Sequence, residues 1–437
     1  MNSDMEYAKY FSKDLCRSLS DIGGEWRYDL IAQSEQAGDD RKIDVEAKKL
    51  EFFISMPDIC FVSRVWCTNS EIITLEEKRL IRDLTKLFKH DLSVIGSRLE
   101  SREIWHELTR TRIIRVAARI SSSETPSTLS MIKIFEAAAQ QTYEGEKFTG
   151  SVVLAHNPDN PKDLDPTRFV SFGKSIEYRK AMLEEKWIRP FLMDGSFALL
   201  GGNHRKRAWG VVDIRTPWNF TPTASPIEEL DGLYGYLQKD TGVSILSASS
   251  EGEIYYSTPN GFQFVKSKGR WRYRNWNGLR DVLKSLPEEV AENIFRLVRR
   301  SSYNHDGSLY VILDSRDEIS RISGGYDSHD KANSILRVFA SGGNVAAQEY
   351  FRILKTASRI DGAIVMDSEG TILDVASMIL SQPPEAWRKR NLEKPQTFPG
   401  ARSTAAWNAS LHGVAIKVSD DGPVEVFKYG RMILRIE

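Results

Sequence analysis

The chain has 437 residues, 41% apolar and 27% charged, with 60 Lys+Arg against 60 Asp+Glu and a formal net charge of zero. This is a globular composition with room for several domains of about 100–200 residues each. It supplies no overall field to draw in nucleic acid, and no uncharged apolar run of about 18 residues is present to cross a membrane.

The N-terminus, MNSDMEYAKYFSKDL, is charged throughout and lacks the apolar stretch of a secretory signal. Cys16, Cys60 and Cys67 are too few for a disulfide framework and lack metal-site spacing, so a cytoplasmic location is expected. Residues 1–125 read as a mainly helical N-terminal domain. From Leu75 to Leu99, apolar residues recur at Leu80, Leu84, Leu87, Phe88, Leu92, Ile95 and Leu99, the spacing of an amphipathic helix. Glu46-x-Lys48, with Asp29 upstream, has the residue types with which restriction-type nucleases hold a metal. No nuclease core surrounds it, and a solvated helix face is preferred.

The polar break Ser121-Ser-Ser-Glu-Thr-Pro-Ser127 marks a boundary. Beyond it, short apolar strands alternate with glycine turns and brief helices, as in an α/β domain. This part reads as written twice. "IKIFEAAAQQTYEGEKFTGSVVLAHN" (132–157) is matched by "ENIFRLVRRSSYNHDGSLYVILDS" (292–315). "FLMDGSFALLGGNHRKRAWGVVDI" (191–214) is matched by "RIDGAIVMDSEGTILDVASMIL" (359–380), and "TGVSILSASSEGEIYYSTPNG" (241–261) by "HGVAIKVSDDGPVEVFKYG" (412–430). Three blocks in the same order give a tandem duplication, with units at 126–285 and 286–437 and Asp194 equivalent to Asp361.

Within the first unit, "YYSTPNGFQFVKSKGRWRYRNW" (255–276) interleaves aromatics with Lys and Arg, as single-strand binders do. A hairpin turning at Pro259-Asn-Gly261 over an aromatic cluster accounts for it better. "GGNHRKR" (201–207) lacks the Gly-Lys-Ser/Thr of a phosphate loop and reads as a basic hairpin turn. His329, beside Asp327 and Asp330, reads as a polar loop. In the second unit, Ala363–Met366 and Thr371–Val375 read as two strands joined by the turn Asp367-Ser-Glu-Gly370, with Asp361-Gly362 ahead of the first.

The second unit resembles the diadenylate cyclase domain of the DNA-integrity-scanning type. The resemblance lies in an ordered set: the strand Gly307–Ile312, a helix, Asp361-Gly362-Ala363, a hairpin, the helix start Gly400-Ala-Arg402-Ser403-Thr404, and the strand pair Gly413–Phe427. It also resembles the cyclase-like domains proposed as sensors in bacterial anti-phage conflict systems. The resemblance implies an α+β/α/β protein in which two tandem cyclase-like units with mixed β-sheets flanked by helices follow the helical N-terminal domain. In the family, two ATP molecules are joined with a divalent metal, Mg or Mn. Asp361 matches the aspartate near the metal and the attacking hydroxyl, and Arg402 the first arginine of an Arg-His-Arg phosphate grip.

Ser403 and Thr404 stand where that His and second Arg belong. Phosphoryl transfer depends on cations that neutralise developing charge, so a site lacking two of them favours binding over synthesis. The first unit departs further: its helix opens Ser225-Pro-Ile-Glu228-Glu229, with two carboxylates where phosphate would sit. The expected nucleotide-binding residues are therefore Asp361, Gly362, Ala363, Gly400, Arg402, Ser403 and Thr404, and Asp361 would hold a metal or act in catalysis only in an active enzyme. The favoured function is a non-enzymatic sensor of a cyclic dinucleotide or ATP-like nucleotide, without a cofactor, acting on an effector protein. An active cyclase making cyclic di-AMP and a structural interaction module are the alternatives. A homo-oligomer is left open, and nucleic acid and membrane are not expected partners.

Overall fold

The computed structural model describes residues 2–33, 43–44, 49–55, 60–67, 74–95, 102–121, 125–143, 145–155, 169–193, 196–202, 206–214, 243–323, 342–396 and 398–436. They form two compact units, Met1–Asn275 and Trp276–Glu437. Architecture is mixed α and β throughout. Among the described residues, no helix is long and apolar enough to cross a membrane.

The first unit opens with helix α1 (Asn2–Ser20), strands β1 (Trp26–Gln33), β2 (Ile43–Asp44), β3 (Lys49–Ser55) and β4 (Cys60–Cys67), and helices α2 (Leu75–Ile95) and α3 (Arg102–Ser121). Helix α2 realises the periodic stretch. Its stripe Leu80, Leu84, Leu87 and Phe88 is buried. The helix starts where Thr74 and Glu77 cap each other, the Thr74 N–H donating to Glu77 Oε2 at 2.7 Å and the Glu77 N–H to Thr74 Oγ1 at 3.2 Å. The segment is not helix alone: the four strands pair antiparallel in the order β1-β4-β3-β2. Glu46 and Lys48 lie outside the described residues.

Arg112 on α3 is fully buried. It bonds Asp14 at 2.9 Å, Ser18 at 2.8 Å and Asp91 at 3.3 Å, and its guanidinium stacks 5.1 Å from the Phe88 ring and 5.0 Å from Trp105. A buried guanidinium is tolerated because carboxylates and hydroxyls satisfy it, which ties α1, α2 and α3 into one register.

The unit continues with α4 (Thr125–Ala139), the small hairpin β5 (Thr142–Tyr143) and β6 (Glu146–Lys147), β7 (Ser151–Ala155), β8 (Phe169–Glu177), α5 (Tyr178–Leu183), α6 (Arg189–Met193), β9 (Phe197–Gly202), β10 (Arg207–Asp213), β11 (Val243–Ala248), β12 (Ile254–Ser257), β13 (Gln263–Ser267) and β14 (Arg270–Arg274). Eight strands form one sheet, ordered β14-β13-β12-β11-β7-β9-β10-β8. This sheet shares a continuous core with the N-terminal helices: Phe88 and Trp105 belong to the same buried cluster as Phe135, Leu154 and Phe264. Hydrogen bonds cross the same junction, from Arg270 to Asp21 at 2.7 Å and from the Tyr273 N–H to the Asp21 carbonyl at 2.8 Å.

The expected aromatic hairpin is present. β12 and β13 pair antiparallel around a turn in which Gly261 has φ +79°, and Tyr255, Tyr256, Phe264, Trp271 and Tyr273 are all buried. Rings packed this way form a core and are withheld from stacking on bases. Residues 203–205 of the basic turn lie outside the described residues, but the flanking strands pair as its hairpin, Gly202 opposite Arg207.

The second unit comprises α7 (Trp276–Leu283), α8 (Glu288–Asn304), β15 (Ser308–Leu313), α9 (Ile319–Ile322), α10 (Gln348–Ala357), β16 (Ala363–Asp367), β17 (Ile372–Ser377), α11 (Pro384–Arg388), α12 (Ala401–Ser410), β18 (Gly413–Val418), β19 (Val424–Lys428) and β20 (Arg431–Ile436). Its six-stranded sheet runs β17-β16-β15-β18-β19-β20. Alternation along β15 divides two cores. Tyr310 and Ile312 pack with α7, α8 and α10 on one face, while Leu309, Val311 and Leu313 pack with Trp407 of α12 on the other.

The six central strands of the two sheets follow one plan. In each, a central strand pairs parallel with the next on one side (β7 with β9, β15 with β16) and antiparallel with a three-strand meander on the other (β11-β12-β13, β18-β19-β20). A hairpin partner closes the parallel side, β10 on β9 and β17 on β16. β8 and β14 are extra edge strands of the first sheet. Asp194, Ser225, Glu228 and Glu229 lie outside the described residues, as do Asp327, His329 and Asp330.

Candidate functional site

Two sequence motifs meet at one end of the second sheet. Helix α10 ends at Ala357, and the chain turns through Asp361-Gly362 into β16. Gly362 has φ +110°, and a Cβ there would overlap the backbone of Ala376, the neighbouring residue on β17. This close approach is open only to glycine. Across the sheet end, helix α12 begins at Ala401 with Gly400 as its N-cap and no side chain capping it. The N–H groups of the first helical turn are thus left without an intrahelical acceptor.

Between them lies a cleft of about 820 Å³, wide enough for a nucleotide-sized ligand. Asp361, Gly362, Ala363, Gly400, Arg402 and Ser403 line it, with Leu309, Met378, Ile379 and Ala405 as apolar wall. Six of the seven expected residues therefore share one cavity. Thr404 does not line it: its hydroxyl donates to the Gly400 carbonyl at 3.2 Å, inside the helix. The Ser403 hydroxyl is also occupied, donating to Glu425 Oε2 at 3.3 Å from a buried position. Both hydroxyl protons are thus engaged within the protein. What the helix start offers is backbone N–H and dipole.

Arg402 is held. Its Nη1 bonds Asp420 Oδ1 at 2.9 Å, and its Nη2 lies 3.6 Å from Asp361 Oδ1, with the Asp361 side chain 94% exposed. Gly307 allows this arrangement, because a Cβ there would overlap both Asp420 Oδ1 and Arg402 Nη1. Lys417, Asp420 and Asp421, outside the expected set, also line the cleft. Lys417 is paired with Glu425 at 2.9 Å, both largely buried. The signal for them was weak. Asp420-Asp421-Gly422 reads as an ordinary hairpin turn, and only the antiparallel pairing of β18 with β15 carries it to the cleft.

Among the described residues no three His, Cys, Asp or Glu side chains converge as metal ligands. Asp361 faces the Arg402 guanidinium instead. Asp361 is the one carboxylate that the resemblance puts near a divalent metal, and no metal step is assigned to it. The other acidic turn, Asp367–Gly370, is structural: Asp367 Oδ1 accepts from the N–H groups of Glu369 at 3.0 Å and Thr371 at 2.8 Å, which closes the β16–β17 hairpin.

No protein-family model matches this chain, and no curated protein matches it. Among solved structures, it is similar to one described as the crystal structure of a hypothetical membrane-spanning protein from Bacillus cereus. That match has 16% identity over 34% of this chain and 64% of the other, with a TM-score of 0.24, too loose a likeness to assign a fold or a function.

Proposed function

We propose that the cleft of the second unit binds a phosphate-bearing nucleotide, a cyclic dinucleotide or an ATP-like molecule, and that the protein is a sensor rather than a cyclase. The resemblance to diadenylate cyclase domains and to the sensor domains of anti-phage systems supports this reading, as does the plan shared by the two sheets. The observation that carries it is the meeting of Asp361-Gly362-Ala363 with an uncapped helix start at Gly400-Ala-Arg402 around one cavity. A phosphodiester would lie over the α12 N-terminus and take Arg402 from the long Asp361 contact, and a base would lie against Leu309, Met378 and Ile379. Ser403 and Thr404 stand where the resemblance expects cations, and their hydroxyl protons are engaged within the protein, which favours binding over synthesis.

Calorimetry of the full chain with ATP and a panel of cyclic dinucleotides tests the reading. Arg402→Ala removes one charged hydrogen-bond partner and is expected to weaken binding by about tenfold or more, or ~1.5–3 kcal/mol. Wild-type protein that binds none of these ligands, or a variant that binds equally well, would favour the structural-module alternative. Formation of cyclic di-AMP from ATP and Mg²⁺ or Mn²⁺ that Asp361→Asn abolishes would favour the enzyme.

A further inference from the structure

A second cavity, of about 870 Å³, lies within the first unit, walled by α3, α4, the β8–α5 junction and the β13–β14 hairpin. Its lining is charged. Arg110, Arg115, Lys133, Arg179, Lys206 and Lys266 line it together with Glu107, Glu136 and Glu177. Two of these cations are neutralised: Arg115 pairs with Asp91 at 2.6 Å, and Lys266 with Glu136 at 3.0 Å. Arg110, Lys133, Arg179 and Lys206 are exposed and make no ion pair or side-chain hydrogen bond among the described residues. Arg179 and Lys206 are fixed beside each other, because the Tyr178 N–H donates to the Lys206 carbonyl at 2.8 Å and Lys206 sits at φ +47°. Four elements distant in sequence thus deliver unpaired cations to one concavity, although the whole chain is neutral.

We infer that this cavity binds a small polyanion carrying two or more phosphate groups, held at Arg110, Lys133, Arg179 and Lys206. Shape and lining select that class. A concave site of this volume suits a compact ligand rather than a duplex or a bilayer plane. A nucleic-acid single strand needs exposed rings for its bases, and among the described residues the one aromatic lining the cavity, Trp271, is only 3% exposed with its Nε1 donating to Glu136. Exposed cations that lack partners favour multiply charged phosphate over a single carboxylate. With no ring presented to a base, a nucleoside offers nothing beyond its phosphates, so this site differs in selectivity from the one in the second unit.

Inorganic tripolyphosphate is the discriminating probe. Titrated calorimetrically into the full chain at low salt, it is expected to bind, with affinity falling steeply as salt rises. In the Arg402→Ala background, where the cleft of the second unit has lost this cation, the quadruple variant Arg110→Ser, Lys133→Ser, Arg179→Ser, Lys206→Ser should lower affinity at least tenfold, while Lys89→Ser, an exposed cation outside the cavity lining, should leave it unchanged. The double variant Arg179→Ser, Lys206→Ser, exposed at both positions, should fall partway and guards against loss of fold. The inference is overturned if tripolyphosphate does not bind in the Arg402→Ala background, if the cavity variants bind it as well as the protein that keeps these cations, or if Lys89→Ser weakens it as much as they do. Retention of a labelled single-stranded oligonucleotide that tripolyphosphate does not displace would also overturn it, in favour of nucleic acid.

Discussion

At the scale of single residues, two glycines near the cleft have opposite consequences. Gly362 combines a positive φ with backbone contact to Ala376, so Gly362→Ala meets rigid main chain and is expected to cost about 1–3 kcal/mol of stability. At Gly307 a Cβ would strike only the ends of Asp420 and Arg402, which can swing away. Gly307→Ala should therefore leave the melting temperature within about 2 °C of wild type while releasing Arg402 from Asp420 and altering nucleotide affinity. Chemical denaturation and calorimetry of both variants check this. Equal destabilisation by the two substitutions would mean that the Arg402–Asp420 pair is a structural fixture and not an adjustable part of the site. Buried chemistry in the first unit is different in kind. Desolvation pushes the Cys16 thiol up to about 12, so that cysteine behaves as a small apolar group of the core.

Among elements, α12 carries the clearest conflict between stability and binding. Its N-cap is glycine where Asp, Asn, Ser or Thr would satisfy the first-turn N–H groups, and a Cβ at Gly400 would meet open space with Ser403 Oγ 3.8 Å away. Gly400→Asp is expected to stabilise the helix by a few tenths of a kcal/mol, up to about 1. It also puts a carboxylate where a phosphate would lie, so nucleotide affinity should fall at least tenfold. Thermal unfolding and calorimetry on the same variant read the two effects. A variant that is more stable and still binds as wild type would remove the helix start from the ligand site. The strand elements show why part of the fold was legible in the sequence. Asp-Gly and Glu-Gly turns flanked by apolar runs specify hairpins through backbone conformation alone, and β11–β12, β16–β17 and β18–β19 form where those patterns stand. The β1–β4 sheet was not legible, because a strand such as Lys49–Ser55 becomes recognisable only once Cys60–Cys67 pairs beside it.

For the whole molecule, burial separates what can fold alone from what cannot. Residues 276–437 close two cores of their own around the six-stranded sheet. Expressed as a fragment, they are expected to unfold in a single cooperative transition and to bind nucleotide within about threefold of the full chain. The segment 126–275 shares its core with the N-terminal helices and anchors Arg270 and Tyr273 on Asp21, so the same cut at 125 should give an aggregating or molten product. Circular dichroism and urea titration of both fragments decide this. A cooperative 126–275 fragment would show that the shared core is not needed.

Sequence by itself determined the mixed α and β architecture, the hairpins at acidic-glycine turns, and an amphipathic helix read over Leu75–Leu99 that the structure describes over Leu75–Ile95. These depend on periodicity and turn chemistry within about ten to twenty residues, where steric rules act locally. It also put Asp361-Gly362-Ala363 and Gly400-Ala-Arg402-Ser403-Thr404 beside one another, and all of these but Thr404 line one cleft. That inference came from the resemblance and not from any local rule. Tertiary structure alone decided that the Ser403 and Thr404 hydroxyls bond Glu425 and the Gly400 carbonyl, that Lys417 and Asp420 complete the lining, and that Arg402 rests on a carboxylate. It alone gathered Arg110, Lys133, Arg179 and Lys206 into one basic cavity of a neutral chain. Such groupings arise when strand pairing and core closure bring distant segments together, and a side chain's partners are then set by three-dimensional neighbours that its own stretch of sequence does not contain.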